Sequence, residues 1–530
     1  MYPADQPRAA LLLELEELAR EDRLSVEQLG ALADRHHVPR SVVHGIRTFY
    51  FPDARTPARE VCVGLPCAMR RSALGLLPPS ALDGTTSCLG YCARGPVVRQ
   101  AGRYFDETPG GIREIEESTP SFVEEHRERL STYRERGGYA AFERYLSAPD
   151  PEEMIRKVEH AALRGLGGAG FPAHVKWRAV RANPDPHRLL LVNAHEGEPG
   201  TFKDRELLER EPHRLLEGAL LAALAVGASE IVVGLRSDYE NAQVALETAR
   251  AELEGFARSV WPGARLPPFQ VRAIPGPYVT GEETALMEAL EGRRSEPRLR
   301  PPFPTDAGLE GHPTLVQNVE TLACLPQILG KGAEPRRTGS PEKLYCVTGD
   351  VDRPGVYRRP LGVPAVELVS GDAGTPPGKL KAFLPGGLSG GLLPASRLAV
   401  NLEFEAVKRE GAGLGTGAVI AIGRDRCLVE VLGELASFFA RESCGKCVPC
   451  RLGTAKLERL LADLHQGTAT ERDVEGGLLL AKVLQETSIC ALGQVAGKAL
   501  TDAMTHFPEE LLAHVHGRCP AREPAAEASG

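Results

Sequence analysis

Eight of the twelve cysteines fall into two groups whose spacing suits metal or iron–sulfur chemistry. The second group reads Cys444-x2-Cys447-x2-Cys450 and places three thiolates in one short loop. Such a loop wraps three corners of a cubane, and a distant cysteine then binds the last iron. Cys490, 40 residues after Cys450, is a suitable fourth ligand. A single zinc more often uses two separated Cys-x2-Cys pairs, so this spacing favours a [4Fe–4S] cluster.

The first group consists of two pairs, Cys62-x4-Cys67 and Cys88-x3-Cys92. Zinc and a [2Fe–2S] cluster both remain possible for this spacing, which is not that of plant-type ferredoxins. The spacing favours iron–sulfur chemistry over zinc, and disulfides are not expected in a reducing compartment. The remaining four cysteines are interpreted as buried or incidental thiols: Cys324, Cys346, Cys427 and Cys519.

A glycine-rich stretch, RGLGGAGFPAHVKW from Arg164 to Trp177, indicates a phosphorylated ligand. Glycines adopt positive φ, let a flat ligand approach the backbone and expose amides to anions. The pattern Gly-x-Gly-x-x-Gly resembles a dinucleotide fingerprint, but residues 152–163 before it are predicted as an amphipathic helix rather than a strand. The sequence therefore predicts a nucleotide-like ligand without a standard Rossmann turn. The four glycines are Gly165, Gly167, Gly168 and Gly170.

The length and composition are those of an ordinary globular protein, and its 530 residues are enough for three or four domains. A net charge of -8 argues against nucleic acid or an anionic membrane as the main partner. No uncharged apolar run is long enough to span a bilayer, and the first apolar run is too short and too acidic for a signal peptide. We expect a cytoplasmic location.

Changes in pattern along the chain predict its organisation. Ser25 and Gln28 suit a helical capping box, and a single helix is expected over residues 120–133. Buried strands at 189–193 and 230–235, with a helix at 212–226 between them, predict an α/β domain. The predicted divisions are helices (1–57), short strands around the first cysteines (58–118), a linker (119–150), an α/β domain (151–335), a small mixed β domain (336–430), helices (431–517) and a disordered tail (518–530).

Seven motifs, in order, resemble the NADH-binding flavoprotein subunit of respiratory complex I, a module that recurs in NAD-linked formate dehydrogenases and NAD-reducing hydrogenases. The motifs lie within about 150–515: RGLGGAGFPAHVKW, NAHEGEPGTFKDRELLE, TGEETALMEALEGRR, PPFP, QNVETLA, ESCGKCVPCRLGT and SICALG. Residues 10–118, with GIRTFYFPD and SCLGYCARGPVV, resemble the small thioredoxin-like [2Fe–2S] subunit of complex I. The chain thus looks like a fusion of those two subunits.

The resemblance implies a multidomain α/β protein. It implies N-terminal helices with a thioredoxin-like domain, a Rossmann-like FMN domain, a ubiquitin-like (SLBB) β-grasp domain and a C-terminal helical bundle that holds the [4Fe–4S] cluster. The implied cofactors are FMN, NAD(H), a [4Fe–4S] cluster and a [2Fe–2S] cluster. Hydride would pass between NADH and FMN, and single electrons between FMN and the clusters.

The same resemblance assigns residues to the flavin and nicotinamide sites. Glu198 and Glu283 are expected to act in catalysis. Stacking on the adenine is expected from Phe171 and Phe303, with Arg300 near anionic groups. The other residues expected near the cofactors are Gly165, Gly167, Gly168, Lys176, Asn193, His195, Glu196, Tyr278, Glu282, Gln317, Asn318 and Thr321.

Simpler roles are open for several of these residues. Glu282 and Glu283 precede a predicted helix, where acids favour the macrodipole. Asn193 suits a turn after its strand, and Lys176 suits a solvated surface. Either phenylalanine could belong to the core.

Three positions depart from the family pattern: Leu166 replaces an arginine, His195 an aspartate and Gln317 an asparagine. His195 is a candidate for a hydrogen bond to the flavin and, as a titratable group, for tuning the flavin potential near neutral pH. Only 20 residues separate Cys67 from Cys88, fewer than is usual among thioredoxin-like subunits of this kind.

The preferred function is the diaphorase β subunit of an NAD-dependent formate dehydrogenase, with a molybdenum or tungsten subunit as partner. The alternatives are the same module in an NAD-reducing hydrogenase or in NADH:quinone oxidoreductase, and a structural subunit with a decayed flavin site. An Rnf-type carrier is disfavoured because its ferredoxin-like cysteine runs are missing. NADP remains an alternative to NAD, because four arginines could bind its 2′-phosphate: Arg293, Arg294, Arg298 and Arg300.

Overall fold

The computed structural model describes residues 7–20, 25–50, 59–79, 84–330 and 341–522. The chain begins with three helices, and the predicted capping box is present between Ser25 and Gln28. Most of the predicted tail, residues 523–530, lies outside the described residues. The helices are α1 (Pro7–Arg20), α2 (Val26–Arg35) and α3 (Arg40–Tyr50).

A five-stranded sheet carries the first cysteine group. Its strand order is β2-β1-β3-β4-β5, with β1 and β2 parallel and the other pairs antiparallel. The short Cys67–Cys88 segment therefore still allows a parallel β-α-β unit. The elements are β1 (Arg59–Cys62), α4 (Leu65–Ala73), β2 (Gly84–Thr86), β3 (Val97–Gln100), β4 (Arg103–Thr108) and β5 (Gly111–Glu114).

The linker contains three short helices, α5 (Pro120–His126), α6 (Leu130–Glu135) and α7 (Ala140–Ser147). The single helix predicted over 120–133 is wrong. The chain breaks at Arg127–Arg129, where Glu252 from a later helix accepts hydrogen bonds from the Arg127 guanidinium (2.9 Å) and the Leu130 amide (3.0 Å). A tertiary carboxylate thus caps α6, a signal that local sequence does not carry.

A four-stranded parallel sheet forms the centre of the molecule, with strand order β8-β7-β6-β9. The strand order reverses between β6 and β9, which come first and last in the sequence. Ligands of such sheets bind outside the carboxyl ends of the strands at that point. The elements are α8 (Pro151–His160), α9 (Ala173–Ala182), β6 (Arg188–Ala194), α10 (Lys203–Arg210), α11 (Pro212–Val226), β7 (Ala228–Arg236), α12 (Glu240–Val260), β8 (Phe269–Ile274), α13 (Glu283–Leu290), β9 (Thr314–Asn318), α14 (Val319–Ala323) and α15 (Leu325–Leu329).

Both faces of this sheet are buried, as expected of parallel strands. Leu190 and Val192 of β6 face a core that includes α11. Leu189 and Leu191 face a second core, which also contains apolar residues of α1–α3. The N-terminal helices therefore share a core with the central domain.

A second five-stranded sheet follows, with order β11-β10-β14-β12-β13. Its first and last long strands, β10 and β14, are parallel neighbours in the centre, as in a β-grasp. The elements are β10 (Glu342–Gly349), β11 (Gly355–Pro360), β12 (Leu380–Leu384), β13 (Leu393–Pro394), α16 (Phe404–Arg409) and β14 (Ala418–Gly423).

The rest of the described chain is helical. Among the described residues, no helix combines the length and the apolar composition needed to cross a bilayer. The helices are α17 (Leu428–Arg441), α18 (Val448–His465), α19 (Glu471–Thr487), α20 (Ala491–Val495), α21 (Lys498–His506) and α22 (Pro508–Val515). The fold class is that of the expected multidomain α/β protein, and the domain boundaries remain predictions.

Candidate functional site

The glycine loop lies where the central sheet reverses its strand order. It connects α8 to α9 and is closed by a hydrogen bond from the Gly165 amide to the Phe171 carbonyl (2.8 Å). A Cβ on Gly167 would lie 2.9 Å from the Cβ of Asn318, at the carboxyl end of β9. Only glycine allows this close approach. Gly168 has φ +133° and open space beside it, as a flat ligand over the loop requires.

Leu166 and Thr321 hold the loop in place. The Leu166 amide donates to Thr321 Oγ1 (2.9 Å), and the Leu166 side chain is buried in the core. Leucine in place of arginine therefore adds to packing here. Thr321 supports the loop through a backbone contact.

Four charged side chains form one chain beside the loop. Lys176 Nζ lies 2.5 Å from Glu283 Oε2, and Arg300 lies 2.6 Å from Glu282 and 3.0 Å from the other oxygen of Glu283. Glu282 also caps α13, since its carboxylate accepts from the Thr284 and Ala285 amides (both 2.9 Å). The simpler helix-terminus role predicted for Glu282 is thus present, together with an ion pair.

Two phenylalanines flank this site as exposed rings. Phe171 is 47% exposed and Phe303 51% exposed, so neither belongs to the core. Lys176 Nζ lies 6.0 Å from the centre of the Phe171 ring. Exposed aromatic faces beside paired cations suit a ligand with a base and phosphates.

The two asparagines at the strand ends are register partners, Asn193 on β6 and Asn318 on β9. Asn193 donates to the Gly281 carbonyl (2.7 Å) and accepts from the His195 amide (3.2 Å), but it is part of β6 and does not follow the strand as predicted. Asn318 caps α14 and donates to Asp204 (2.6 Å). Gln317, just before it, is buried.

A buried ionic network beneath these asparagines was not predicted. Lys203 Nζ lies 2.7 Å from Asp204 and 3.2 Å from Glu320, and Lys343 of β10 lies 3.0 Å from the same Glu320 oxygen. The network joins the central sheet to the β-grasp sheet. Three members lie in the recognised motifs TFKDRE and QNVET, so motif membership was the signal that could have identified them.

His195 is fully buried beside Arg236 and Asp238. Burial, and secondly the Arg236 charge, lower the pKa of His195 to about 3. The imidazole is therefore neutral throughout the neutral range. The hypothesis that its titration tunes the flavin potential near neutral pH is wrong, because desolvation outweighs the attraction of Asp238. A hydrogen bond from the neutral ring to the flavin remains a prediction.

Glu196 and Glu198 follow on the same loop but contact different elements. The Glu196 carboxylate accepts from the Asp204 and Arg205 amides at the start of α10 (3.1 and 3.2 Å), and burial with the Asp204 charge raises its pKa to about 7. Glu198 accepts from the Ser389 amide of the β-grasp domain (2.9 Å), and burial raises its pKa. The loop thus links three parts of the molecule.

Burial raises the pKa of the Tyr278 hydroxyl, and the nearby Glu198 carboxylate and Cys490 raise it further. Its ring packs 5.2 Å from that of Phe438 on α17, and its amide donates to Glu442 (2.7 Å). Glu442 also accepts from the Ser87 hydroxyl, next to Cys88. Tyr278 and Glu442 therefore connect the regions of both cysteine groups.

The first cysteine group is buried. Cys88 Sγ lies 3.5 Å from Cys92 Sγ, and the Cys62 thiol lies beside those of Cys67 and Cys88. The Cys92 sulfur accepts from the Gly200 amide (3.3 Å) of the central domain, and Cys88 accepts from Gly90 (3.3 Å). Four thiols with amide donors at sulfur fit a small iron–sulfur cluster.

The second group lines one pocket, and all four predicted ligands, Cys444, Cys447, Cys450 and Cys490, meet there. Backbone amides directed at Cys444 and Cys490 come from Lys446, Leu492 and Gly493 of the same helical region. Thiols from one loop and one distant segment around an open space fit a cubane cluster.

Comparisons with known proteins agree with this geometry. Residues 158–327 match the family described as the Nuo51 FMN-binding domain, and residues 430–514 match the NADH-ubiquinone oxidoreductase-F iron-sulfur binding region. The F 2 subunit of the NADH-quinone oxidoreductase of Rhizobium meliloti (strain 1021) is 41% identical over 412 residues, which cover 74% of this chain and 96% of the relative. The corresponding F subunit of Aquifex aeolicus (strain VF5) is 40% identical over 392 residues, 72% of this chain and 90% of the relative.

Solved structures match over nearly the whole length. A chain of an NAD+-reducing [NiFe]-hydrogenase in the H2-reduced state has a TM-score of 0.81 and 32% identity, covering 96% of this chain and 93% of its own. For the air-oxidized state, the TM-score is 0.79 with 32% identity, and the coverage is 99% and 96%.

Proposed function

The chain belongs to the family of NADH-quinone oxidoreductase F subunits, as its seven motifs predicted, and we propose that it works as the NAD(H) diaphorase subunit of a larger oxidoreductase. The protein is an oxidoreductase whose domains bind FMN, NADH and a [4Fe–4S] cluster. Bound FMN would supply the conversion between two-electron hydride chemistry and one-electron transfer.

One observation carries the proposal: a single loop, residues 195–202, connects the carboxyl edge of the central sheet to the first cysteine group. Asn193 lies at the strand end before it, Glu198 lies within it, and the Gly200 amide donates to Cys92. Tyr278, beside Glu198, connects the same edge to Cys490. A flavin at this edge of the sheet would therefore be connected to both cysteine groups.

In this proposal, the residues around the glycine loop bind and orient the two nucleotides. Lys176 and Arg300 are the cations that would bind anionic groups of the nucleotides. Glu282 and Glu283 already pair with these cations and therefore weaken their attraction for those groups. Phe171 and Phe303 supply exposed rings for an adenine. Glu198, whose pKa is raised by burial, is suited to hold a proton near the reacting rings. Glu283 would position Lys176.

The finer assignments follow from contacts of the described residues. The buried thiols of the first group support a [2Fe–2S] cluster in a thioredoxin-like domain. Arg293 and Arg298 both pair with Glu288 (each 2.5 Å), just as Arg300 pairs with Glu282 and Glu283, so these arginines do not mark a 2′-phosphate site, and NAD(H) rests on the family. We retain the cytoplasmic location as a prediction.

For the partner, we keep a molybdenum or tungsten formate dehydrogenase α subunit as the first candidate. The near-complete match to a chain of an NAD+-reducing [NiFe]-hydrogenase specifically favours hydrogenase subunits as the second. Purification of the native complex with metal analysis decides between them. Molybdenum or tungsten in the complex supports the first candidate, and nickel supports the second and contradicts the first.

The diaphorase role is tested on the purified chain by its bound FMN and its NADH:ferricyanide activity. Gly167→Ala should lose both, because the new methyl group meets Asn318 at 2.9 Å. Gly476→Ala on α19, with nothing within 4 Å of its Cβ, is the matched control and should keep both. Wild-type protein with neither FMN nor activity would instead support the structural subunit with a decayed flavin site.

A further inference from the structure

Two cysteines and two histidines meet at the far end of the helical region, outside both iron–sulfur cysteine groups. The ligand atoms of Cys427, His465 and His514 all lie within 4.8 Å of one another. The Cys519 thiol lies near the Cys427 thiol and packs against the same apolar cluster. Two thiols and two imidazoles are a donor set typical of closed, four-coordinate zinc sites. We propose that these four residues bind a structural zinc ion.

The four residues come from separate segments. Cys427 is the N-cap residue of α17, directly after the β-grasp sheet, and His465 is the last residue of α18. His514 lies on α22, and Cys519 follows in the turn after that helix. One ion at this point would fasten the C-terminal segment to the start of α17 and the end of α18.

His514 is already oriented as a ligand. Its Nδ1 lies 2.9 Å from the Glu510 carbonyl, so Nδ1–H donates there and Nε2 keeps its lone pair. That Nε2 lies 3.3 Å from Cys427 Sγ. The Glu510 carboxylate in turn accepts from the Leu428 amide (2.8 Å) and pairs with Lys381 (2.8 Å). Glu510 therefore fixes both the histidine and the helix start that carries Cys427.

The surroundings of Cys427 suit a metal-bound thiolate. The Val429 and Glu430 amides at the start of α17 point to its sulfur, and such donors stabilise the thiolate. A cation bound between the two thiols would take the place of their protons.

The site is separate from the electron path. α18 begins between Cys447 and Cys450 and ends at His465, and its 18 residues span about 27 Å. The proposed ion therefore lies at the opposite end of this helix from the [4Fe–4S] cysteines. Zinc has no redox chemistry, so its role here is to hold the helical region together.

The first test is metal analysis of the purified full-length protein with its cofactors. We expect about one zinc per chain in addition to iron. His514→Ala and Cys519→Ser should lose the zinc and keep the iron. Cys324→Ser, at a buried thiol remote from this cluster, is the matched control and should keep both. Wild-type protein without zinc, or variants that retain it, would overturn the proposal.

Cobalt substitution tests the site without any variant, in case a substitution prevents folding. Cobalt in the wild-type protein should give thiolate-to-metal charge-transfer bands and tetrahedral ligand-field bands, and a chelator that removes the metal should lower the unfolding temperature while FMN and iron stay bound. A cobalt spectrum without thiolate bands would contradict the proposal. So would a Cys427–Cys519 disulfide in the freshly purified protein, found by mass analysis.

Discussion

The two cysteine groups differ in where their supporting contacts come from. The first group is buried, and the central domain supplies an amide to it, from Gly200 to Cys92 (3.3 Å). The second group is partly exposed, and its sulfur-directed amides come from its own helical region. We infer that the second group can organise locally, whereas the first depends on correct docking of its neighbour.

Loss of one ligand from each group should have the largest effect. Cys490→Ser should remove the [4Fe–4S] signal and about two thirds of the bound iron, and leave the other cluster. Cys92→Ser should remove about one third of the iron and also loosen the docked domain, because the Gly200 amide loses its acceptor. Iron analysis, electron paramagnetic resonance and limited proteolysis measure these effects. Equal resistance to proteolysis in both variants would remove the distinction.

Glycine substitutions test the same difference between the two groups without removing a cysteine. Gly200 has φ +89°, and an added Cβ would lie 2.9 Å from Ile420. Gly200→Ala should therefore cost at least about 1 kcal/mol and lower the occupancy of the first cluster only. Gly445→Ala is the matched control, since its φ is +79° and its nearest neighbour is 3.7 Å away, so it carries strain without a clash. If Gly445→Ala empties the first cluster, the proposed dependence is wrong.

Glu442 connects both regions, and its loss should have a smaller effect. Glu442→Gln keeps the shape but weakens the charge-assisted hydrogen bonds to Tyr278 and Ser87, each worth about 1.5–3 kcal/mol. We expect a lower unfolding temperature by calorimetry with unchanged iron content. Glu430→Gln, at an exposed position of the same helix, is the control. An unchanged unfolding temperature for Glu442→Gln would show that the connection adds no stability.

The smallest expected effect is a pH dependence that arises from Glu196. Its pKa in the folded state, about 7, lies above the ordinary value of 4.5, so the folded protein binds the proton more tightly than the unfolded chain. This contribution to stability is complete below pH 4.5 and is lost as the pH rises through 7. Between pH 5.5 and 7.5 the unfolding temperature should fall by ~2 °C more in wild type than in Glu196→Gln. Parallel pH profiles would contradict the assignment.

The sequence predicted the features that depend only on residues close together in the chain. The capping box of Ser25 and Gln28 and the Cys444-x2-Cys447-x2-Cys450 loop depend on neighbours a few residues away, and both are present. The break at residues 127–129 depends on Glu252, more than 120 residues later, and was missed.

Long-range contacts also decided what the sequence could not show about polar residues. Cys427 and Cys519, interpreted as buried or incidental thiols, are free thiols of which Cys427 is buried, and only the packing of α17 against α22 brings them near each other. His195 was expected to titrate near neutral pH because its sequence does not show how deeply it is buried. The ionic network of Lys203, Asp204, Glu320 and Lys343 joins two sheets, and no spacing rule predicts such a network.

In the proposed function, the two electrons of the NADH hydride reach both cysteine groups one at a time within this one chain. The most direct test is anaerobic titration of the purified protein with NADH, followed by electron paramagnetic resonance. We predict bound FMN and two reduced-cluster signals, of which Cys490→Ser removes only one. Reconstituted protein that shows no cluster signal with NADH, although dithionite produces both, would contradict this electron path.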